Sequence, residues 1–307
     1  MIPKTSDNKN LLIGIALALT TVIIWSGNYI VARSIAKQIP PVHLAFFRWG
    51  TATICLLPIA GKKCWNERHL LSQHKLYLLF TAIMGISLFN TFIYLAGHYT
   101  SAINLALIGT TSSPVFITFM AAIFLHEKIY FLRLTGMLVC VAGIIYLLSQ
   151  GSFQKLATLH FGKGDVLILL SSFFFSIYSI LVRKKPAAIS PLSFLMLLFI
   201  TGTIILIPFV WIESLHTPAV EWTNNMRFTI LYLGIGNSVI GFLCWNLAIS
   251  KMGAARTSLF ANLMPLFSTI EAILILNEQF TAIHLVSGVL LLAGLIIANL
   301  PEKILKR

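Results

Sequence analysis

Charge is scarce in this chain. Only 10% of its 307 residues are charged, and just 9 of them are acidic. A soluble domain carries about 25% charged residues, and a chain that is 58% hydrophobic cannot cover a water-facing exterior. Cysteine is scarce too. Cys55, Cys64, Cys140 and Cys244 show no metal-ligand spacing, and three of them fall in apolar runs, where they read as small buried residues. His43, His98, His126 and His284 lie near the ends of such runs without ligand spacing, so no metal is expected. A glycine-rich phosphate loop is missing, which argues against an ATP-driven module within the chain. So is a readable nucleophile–base arrangement, and neither a cofactor nor an enzymatic activity is expected. Alternating ten-residue strand patterns are absent, which argues against an outer-membrane barrel. The net charge of +13 does not mark a nucleic-acid binder, because the basic residues cluster in short loops, where membrane topology accounts for them.

What is present is a series of apolar runs of about 20 residues, the length that spans hydrocarbon as a helix. The expected fold is an all-α integral membrane protein with ten transmembrane helices. They are placed at 11–32, 42–60, 76–96, 102–125, 132–149, 165–182, 192–211, 227–249, 254–276 and 282–299.

The runs repeat. At an offset of 151, Pro114 meets Pro265, Glu127 meets Glu278, and Gly143 meets Gly294. At an offset of 150, Gly14 meets Gly164, Ser26 meets Ser176, Arg33 meets Arg183, and Pro41 meets Pro191. Gly85/Gly236 and Ser87/Ser238 join the two registers. Rare residues that hold register over such a length indicate a duplication. The units are 1–150 and 151–307, each of five helices. Five is odd, so tandem copies enter the membrane in opposite senses and form an inverted repeat. With the N-terminus in the cytoplasm, sixteen of the 22 basic residues fall on the inner side, five on the outer side, and Arg48 within a span. That bias puts both termini in the cytoplasm.

Both units resemble the EamA-type repeat of the drug/metabolite transporter superfamily, over nearly the whole chain. The resemblance is carried by W-S-G-N-Y-I-V-A-R at 25–33 and P-P-V-H-L-A-F-F-R at 40–48. The S-P-V-F…H-E-K and M-P-L-F…N-E-Q blocks extend it, each followed by a glycine-bearing span. Ser26 and Arg33 depart from the glycine and lysine more usual there. The resemblance implies a central cavity, alternating access and secondary transport of a small-molecule substrate across the inner membrane. Amino acids or related zwitterions lead, with export favoured. The rivals are import of a nucleobase- or cofactor-like metabolite, and a membrane-embedded enzyme or scaffold without transport.

In such a carrier the polar residues inside spans are the candidate substrate ligands, since each is costly in the bilayer unless it lines a cavity or pairs. Trp25 and Tyr29 lie in the first span, Asn90 and Tyr94 in the third, and Asn104 and Thr111 in the fourth. Ser176 and Ser179 lie in the sixth, Asn237 and Trp245 in the eighth, and Asn262 in the ninth. Serine and threonine have a plainer alternative, a bond back to their own helix. Pro114 and Pro265 are candidate hinges, each near mid-helix and removing one backbone N–H. Arg48 and Glu271 stand out, because each is ionisable, lies within a span, and has an uncharged repeat partner, Leu198 and Met120. Each lies about six residues from the outer boundary, roughly 9 Å deep. They are expected to approach each other as an ion pair or as a zwitterion site, with proton coupling through Glu271 open.

Overall fold

The computed structural model describes residues 5–124, 126, 129, 131–152, 154, 162–252, 260, 261 and 263–299. Its helices are α1 (Thr5–Ser34), α2 (Pro41–Asn66), α3 (Lys75–Gly97), α4 (Ala102–Phe124) and α5 (Phe131–Leu148). They continue as α6 (Lys163–Arg183), α7 (Pro191–Ser214), α8 (224–252), α9 (Met264–Leu276) and α10 (Ala282–Asn299). A short helix, Arg68–Gln73, joins α2 to α3. Eight of the described helical stretches are long and apolar enough to cross a membrane, and α9 and α10 supply shorter apolar helices. The fold is that of an integral membrane protein. Leu12, Ile54, Leu274 and Val289 face outward while Ser26, Asn90 and Asn237 are buried, the reverse of a water-soluble protein.

Two departures from the expected helices stand out. The sequence places one helix over 254–276, whereas the described α9 begins at Met264, with residues 253–259 and 262 outside the described set. Pro265 therefore sits in the first turn of α9 rather than near mid-helix. A missing N–H costs little there, because first-turn amides have no partner within the helix. Pro114 does lie inside α4, as expected. The second departure is that α3 and α8 are not uniform. Each contains a π-helical segment, Ile83–Leu88 and Tyr232–Ile240, at matched positions of the two units. Such segments bond i to i+5 and recur at functional sites.

The packing follows from small residues and from backbone groups that need partners. α5 and α10 cross so closely that a Cβ on Gly136 would lie 2.4 Å from the Ala298 nitrogen. Cys140 Sγ donates to the Leu291 carbonyl at 3.5 Å, and Ser287 Oγ to the Gly143 carbonyl at 2.9 Å. These contacts advance along α5 as they retreat along α10, so the pair is antiparallel. α2 and α7 are antiparallel as well, with the Thr53 and Thr203 hydroxyls meeting at 3.5 Å between them. α4 and α6 run parallel, since Gly109 meets Ser172 and Ser113 meets Ser176.

Carboxylates reach between the units to cap helices. The first amides of a helix have no acceptor of their own and favour negative charge. Glu213, near the end of α7, accepts from the Val42 and His43 amides at the start of α2, at 3.2 and 2.9 Å. Glu67, just past α2, accepts from the Ser190 amide before α7 at 3.1 Å. Glu278 accepts from the Ala102 and Ile103 amides at the start of α4, at 2.8 and 3.1 Å. Glu127 lies outside the described residues.

Candidate functional site

Arg48 lies two turns into α2, with only 4% of its surface exposed. An ionised group so placed needs hydrogen bonds to replace water. It finds five oxygens on three other helices. Nη1 shares its two hydrogens among Asn28 Oδ1 of α1 at 2.7 Å and Asn90 Oδ1 and Tyr94 Oη of α3 at 2.8 and 2.7 Å. Nη2 donates to Asn237 Oδ1 at 2.8 Å, and Nε to Ser238 Oγ at 3.1 Å, both in the π-helical part of α8. None of the five carries a charge. No carboxylate among them offsets the guanidinium, a setting that suits an anion.

The partners are themselves held. Tyr94 Oη donates to Asn28 Oδ1 at 3.0 Å. Asn237 Nδ2 donates to the Ile24 carbonyl at 2.9 Å, and the Asn237 carbonyl accepts from Trp25 Nε1 at 3.1 Å. Tyr232 Oη also donates to the Ile24 carbonyl, at 2.6 Å. α1 comes this close because residue 27 is glycine: a Cβ there would lie 2.1 Å from Tyr232 Oη. The extra residue of the π turn aims Ser238 Oγ at the carbonyl of Leu233, five residues back, to which it donates at 2.9 Å.

Glu271 belongs to a second polar point. Its Oε1 accepts from Ser26 Oγ at 2.7 Å, and its Oε2 is buried without a hydrogen-bond partner. The expected approach of Arg48 and Glu271 is not found. Arg48 binds Asn28 and Glu271 binds Ser26, and two helical residues apart is 200° around the axis. The two charges thus meet α1 at different faces, and among the described residues no ion pair joins them.

The other candidates divide. Asn90, Tyr94 and Asn237 converge on Arg48. Trp25 adjoins them, its ring 5.2 Å from Trp245 and 5.5 Å from Phe242. Tyr29, one residue on from Asn28, turns toward α4, where a Cβ on Gly109 would come 3.2 Å from its hydroxyl. Thr111 and Ser179 bond back to Leu107 and Phe175 of their own helices. Ser176 donates to the Ser172 carbonyl and across to the Ser113 carbonyl of α4, at 2.6 and 3.2 Å. Asn104 is held near the start of α4 by Thr100 at 3.4 Å, with its Oδ1 buried and unpartnered. Asn262 lies outside the described residues. Asn28 and Ser238, polar residues on the same spans as the candidates Trp25, Tyr29 and Asn237, complete the Arg48 shell. The signals for them were weak: Asn28 adjoins Tyr29 in the 25–33 block, and Ser238 is matched by Ser87.

The comparisons with known proteins agree with this architecture. The chain is 28% identical to an uncharacterized transporter of Archaeoglobus fulgidus, over 93% of this chain and 97% of that protein. It is 26% identical to the uncharacterized transporter YyaM of Bacillus subtilis, over 84% of each. A solved crystal structure shares the fold with a TM-score of 0.63 at 19% identity, covering 98% of this chain and 99% of that one. The family model described as the EamA-like transporter family matches twice, at residues 12–149 and 162–300. With two copies of the family's unit filling it almost end to end, the chain belongs to the EamA-like transporter family of the drug/metabolite transporters.

Proposed function

We propose that the protein is an inner-membrane secondary carrier for small organic metabolites, amino acids or related zwitterions, working in export by alternating access. Its ten spans form two inverted five-helix units, 1–150 and 151–307, with both termini in the cytoplasm. The antiparallel pairing of matched helices supports the inversion. Thr53 faces Thr203, and Cys140 bonds the Leu291 carbonyl. Contacts between repeat partners are what a twofold relation produces.

One observation carries the mechanism. Three of the bonds to Arg48 come from the first unit and two from the second. Rocking one unit against the other breaks the Asn237 and Ser238 bonds and frees Nη2 and Nε. A solute carboxylate can then take the planar, two-pronged guanidinium face. The Glu271 oxygen that lacks a partner serves as the proton site. Pro114 within α4 and Pro265 at the start of α9 serve as hinges.

Flux of radiolabelled amino acids through purified protein in liposomes, with and without a pH gradient, tests the reading. Gradient-driven flux is expected in the parent protein. Glu271→Gln is expected to abolish gradient-driven movement while leaving exchange. If that variant behaves like the parent in both modes, proton coupling through Glu271 is lost. If no amino acid moves at all, the substrate class is lost. The Trp25, Phe242 and Trp245 cluster favours a second reading, uptake of a flat nucleobase-like or cofactor-like solute that stacks on aromatic faces. Competition by nucleobases in the same liposomes distinguishes the two. Total absence of flux, with the protein folded, would instead favour the membrane-embedded enzyme or scaffold.

A further inference from the structure

We propose that the groove between α2, the Arg68–Gln73 helix, α3 and α7 is a binding site for an anionic phospholipid. This goes beyond the transport reading and does not depend on it. The groove encloses about 630 Å³. Its floor is apolar, built by Leu57, Leu79, Leu197 and Ile200, while Arg68 and Lys75 line its polar end with Ser72 between them. An apolar trough ending in cations matches an acyl chain ending in a phosphate, and neither a free anion nor a neutral lipid satisfies both parts.

The charge at this end is one-sided. Lys62 and Lys63, in the last turns of α2, and Arg68 and Lys75 are all exposed. Glu67 is the only acidic residue from 51 to 80, and its carboxylate is turned toward α7, where it accepts from the Ser190 amide. Glu67 lies near Lys63, but among the described residues no ion pair engages Arg68 or Lys75. Arg68 is also pre-positioned. Its guanidinium lies over the Trp65 ring, 4.9 Å from the centroid, and one Nη1 hydrogen goes to the Trp65 carbonyl at 3.0 Å. Trp65 is 68% exposed, as befits an aromatic anchor at the membrane–water boundary.

The matched end of the second unit lacks this arrangement. From 209 to 228 the acids Glu213 and Glu221 accompany a single basic residue, Arg227. The same fold thus offers a cationic cradle at one boundary and a near-neutral surface at the other; the inside–outside charge bias alone would give that difference, and it is the apolar groove lined by Arg68 and Lys75 that marks a ligand site.

The test uses the full chain, purified and stripped of lipid in detergent. Phosphatidylglycerol, phosphatidylcholine or inorganic phosphate is added, and retention is read by native mass spectrometry alongside the thermal midpoint. Phosphatidylglycerol is expected to be retained and to raise the midpoint, and phosphatidylcholine and phosphate to do neither. The double variant Arg68→Gln/Lys75→Gln is expected to bind phosphatidylglycerol about thirtyfold more weakly, at the usual contribution of a basic residue near an anionic surface. Lys163→Gln/Arg227→Gln, remote from the groove, is expected to stay within about twofold of the parent. The charge-preserving Arg68→Lys/Lys75→Arg pair must retain the lipid, which separates loss of charge from loss of fold. Equal retention of phosphatidylcholine, a midpoint shift reproduced by phosphate alone, or unchanged binding in the Gln double variant would each overturn the proposal.

Discussion

Arg48 in α2 and Leu198 in α7 occupy matched positions of the two units, and both are buried, at 4% and 0% exposure. Their surroundings differ as much as they do. Asn28, which accepts from Arg48, is matched by Tyr178, and Tyr94 is matched by Trp245. Ser238 accepts from Arg48 Nε, whereas its match, Ser87, donates to the Gly202 carbonyl at 3.1 Å. The charge and its oxygens differ between the units as a set. That is what energetics demands, since a lone cation within a span costs about 2.5–3.5 kcal/mol. In the scaffold pair of α5 with α10, Gly143 and Gly294 hold matched positions, while Gly136 is matched by Ser287. The units thus share their packing and part at the polar centre.

The comparison can be broken at its centre first. Arg48→Leu makes the first unit resemble the second, but leaves the Asn90 and Asn237 carbonyl oxygens buried without a donor. At about 1–3 kcal/mol for each such group, the expected loss is on the order of 4 kcal/mol, read as a lower thermal midpoint with transport abolished. A variant as stable as the parent would mean the network does not hold the units together. The reciprocal change, Leu198→Arg, puts a cation where no oxygens wait. It is expected to cost about 3 kcal/mol and to cut the yield of folded protein in the membrane, measured by fluorescence-detected size exclusion.

Two further changes sharpen the contrast between site and scaffold. Gly136→Ala forces a Cβ against the α10 backbone and is expected to cost roughly 2 kcal/mol, with flux per folded molecule unchanged. Reduced flux at unchanged stability would move this pair from scaffold to machinery. The smallest effect is expected at Glu67. Burial alone would raise its carboxyl, but the hydrogen bonds from Ser190 and Ser193 and the nearby Lys63 charge hold it below its ordinary value. A lowered native value stabilises the fold above the unfolded-state value, and the gain is lost as pH falls through the native one. Glu67→Gln should therefore be less stable than the parent at neutral pH, and their thermal midpoints should converge in acid.

Much of this was legible in the sequence. Arg48 announced itself as a charge in an apolar run, and Asn90, Tyr94 and Asn237 were polar groups that a span does not carry without cause. Their convergence was not legible, because helical spacing gives the face of one helix but not which neighbour it meets. For the same reason the pairing of Arg48 with Glu271 failed: spacing along each helix did not tell that one would bond Asn28 and the other Ser26. Thr111 and Ser179 took the local bond that short hydroxyl side chains always have within reach. The π-helical turns left no trace, since one extra residue in a turn changes neither the composition nor the length of an apolar run. The length of that run likewise placed Pro265 near mid-helix, while the described helix begins one residue before it.

The reach of the Arg48 network has a consequence for biosynthesis. Asn237 follows Arg48 by 189 residues, and ribosomes add roughly 5–20 residues per second. For about 10–40 seconds, the nascent first unit therefore carries the Arg48 cation without the two oxygens that Asn237 and Ser238 supply.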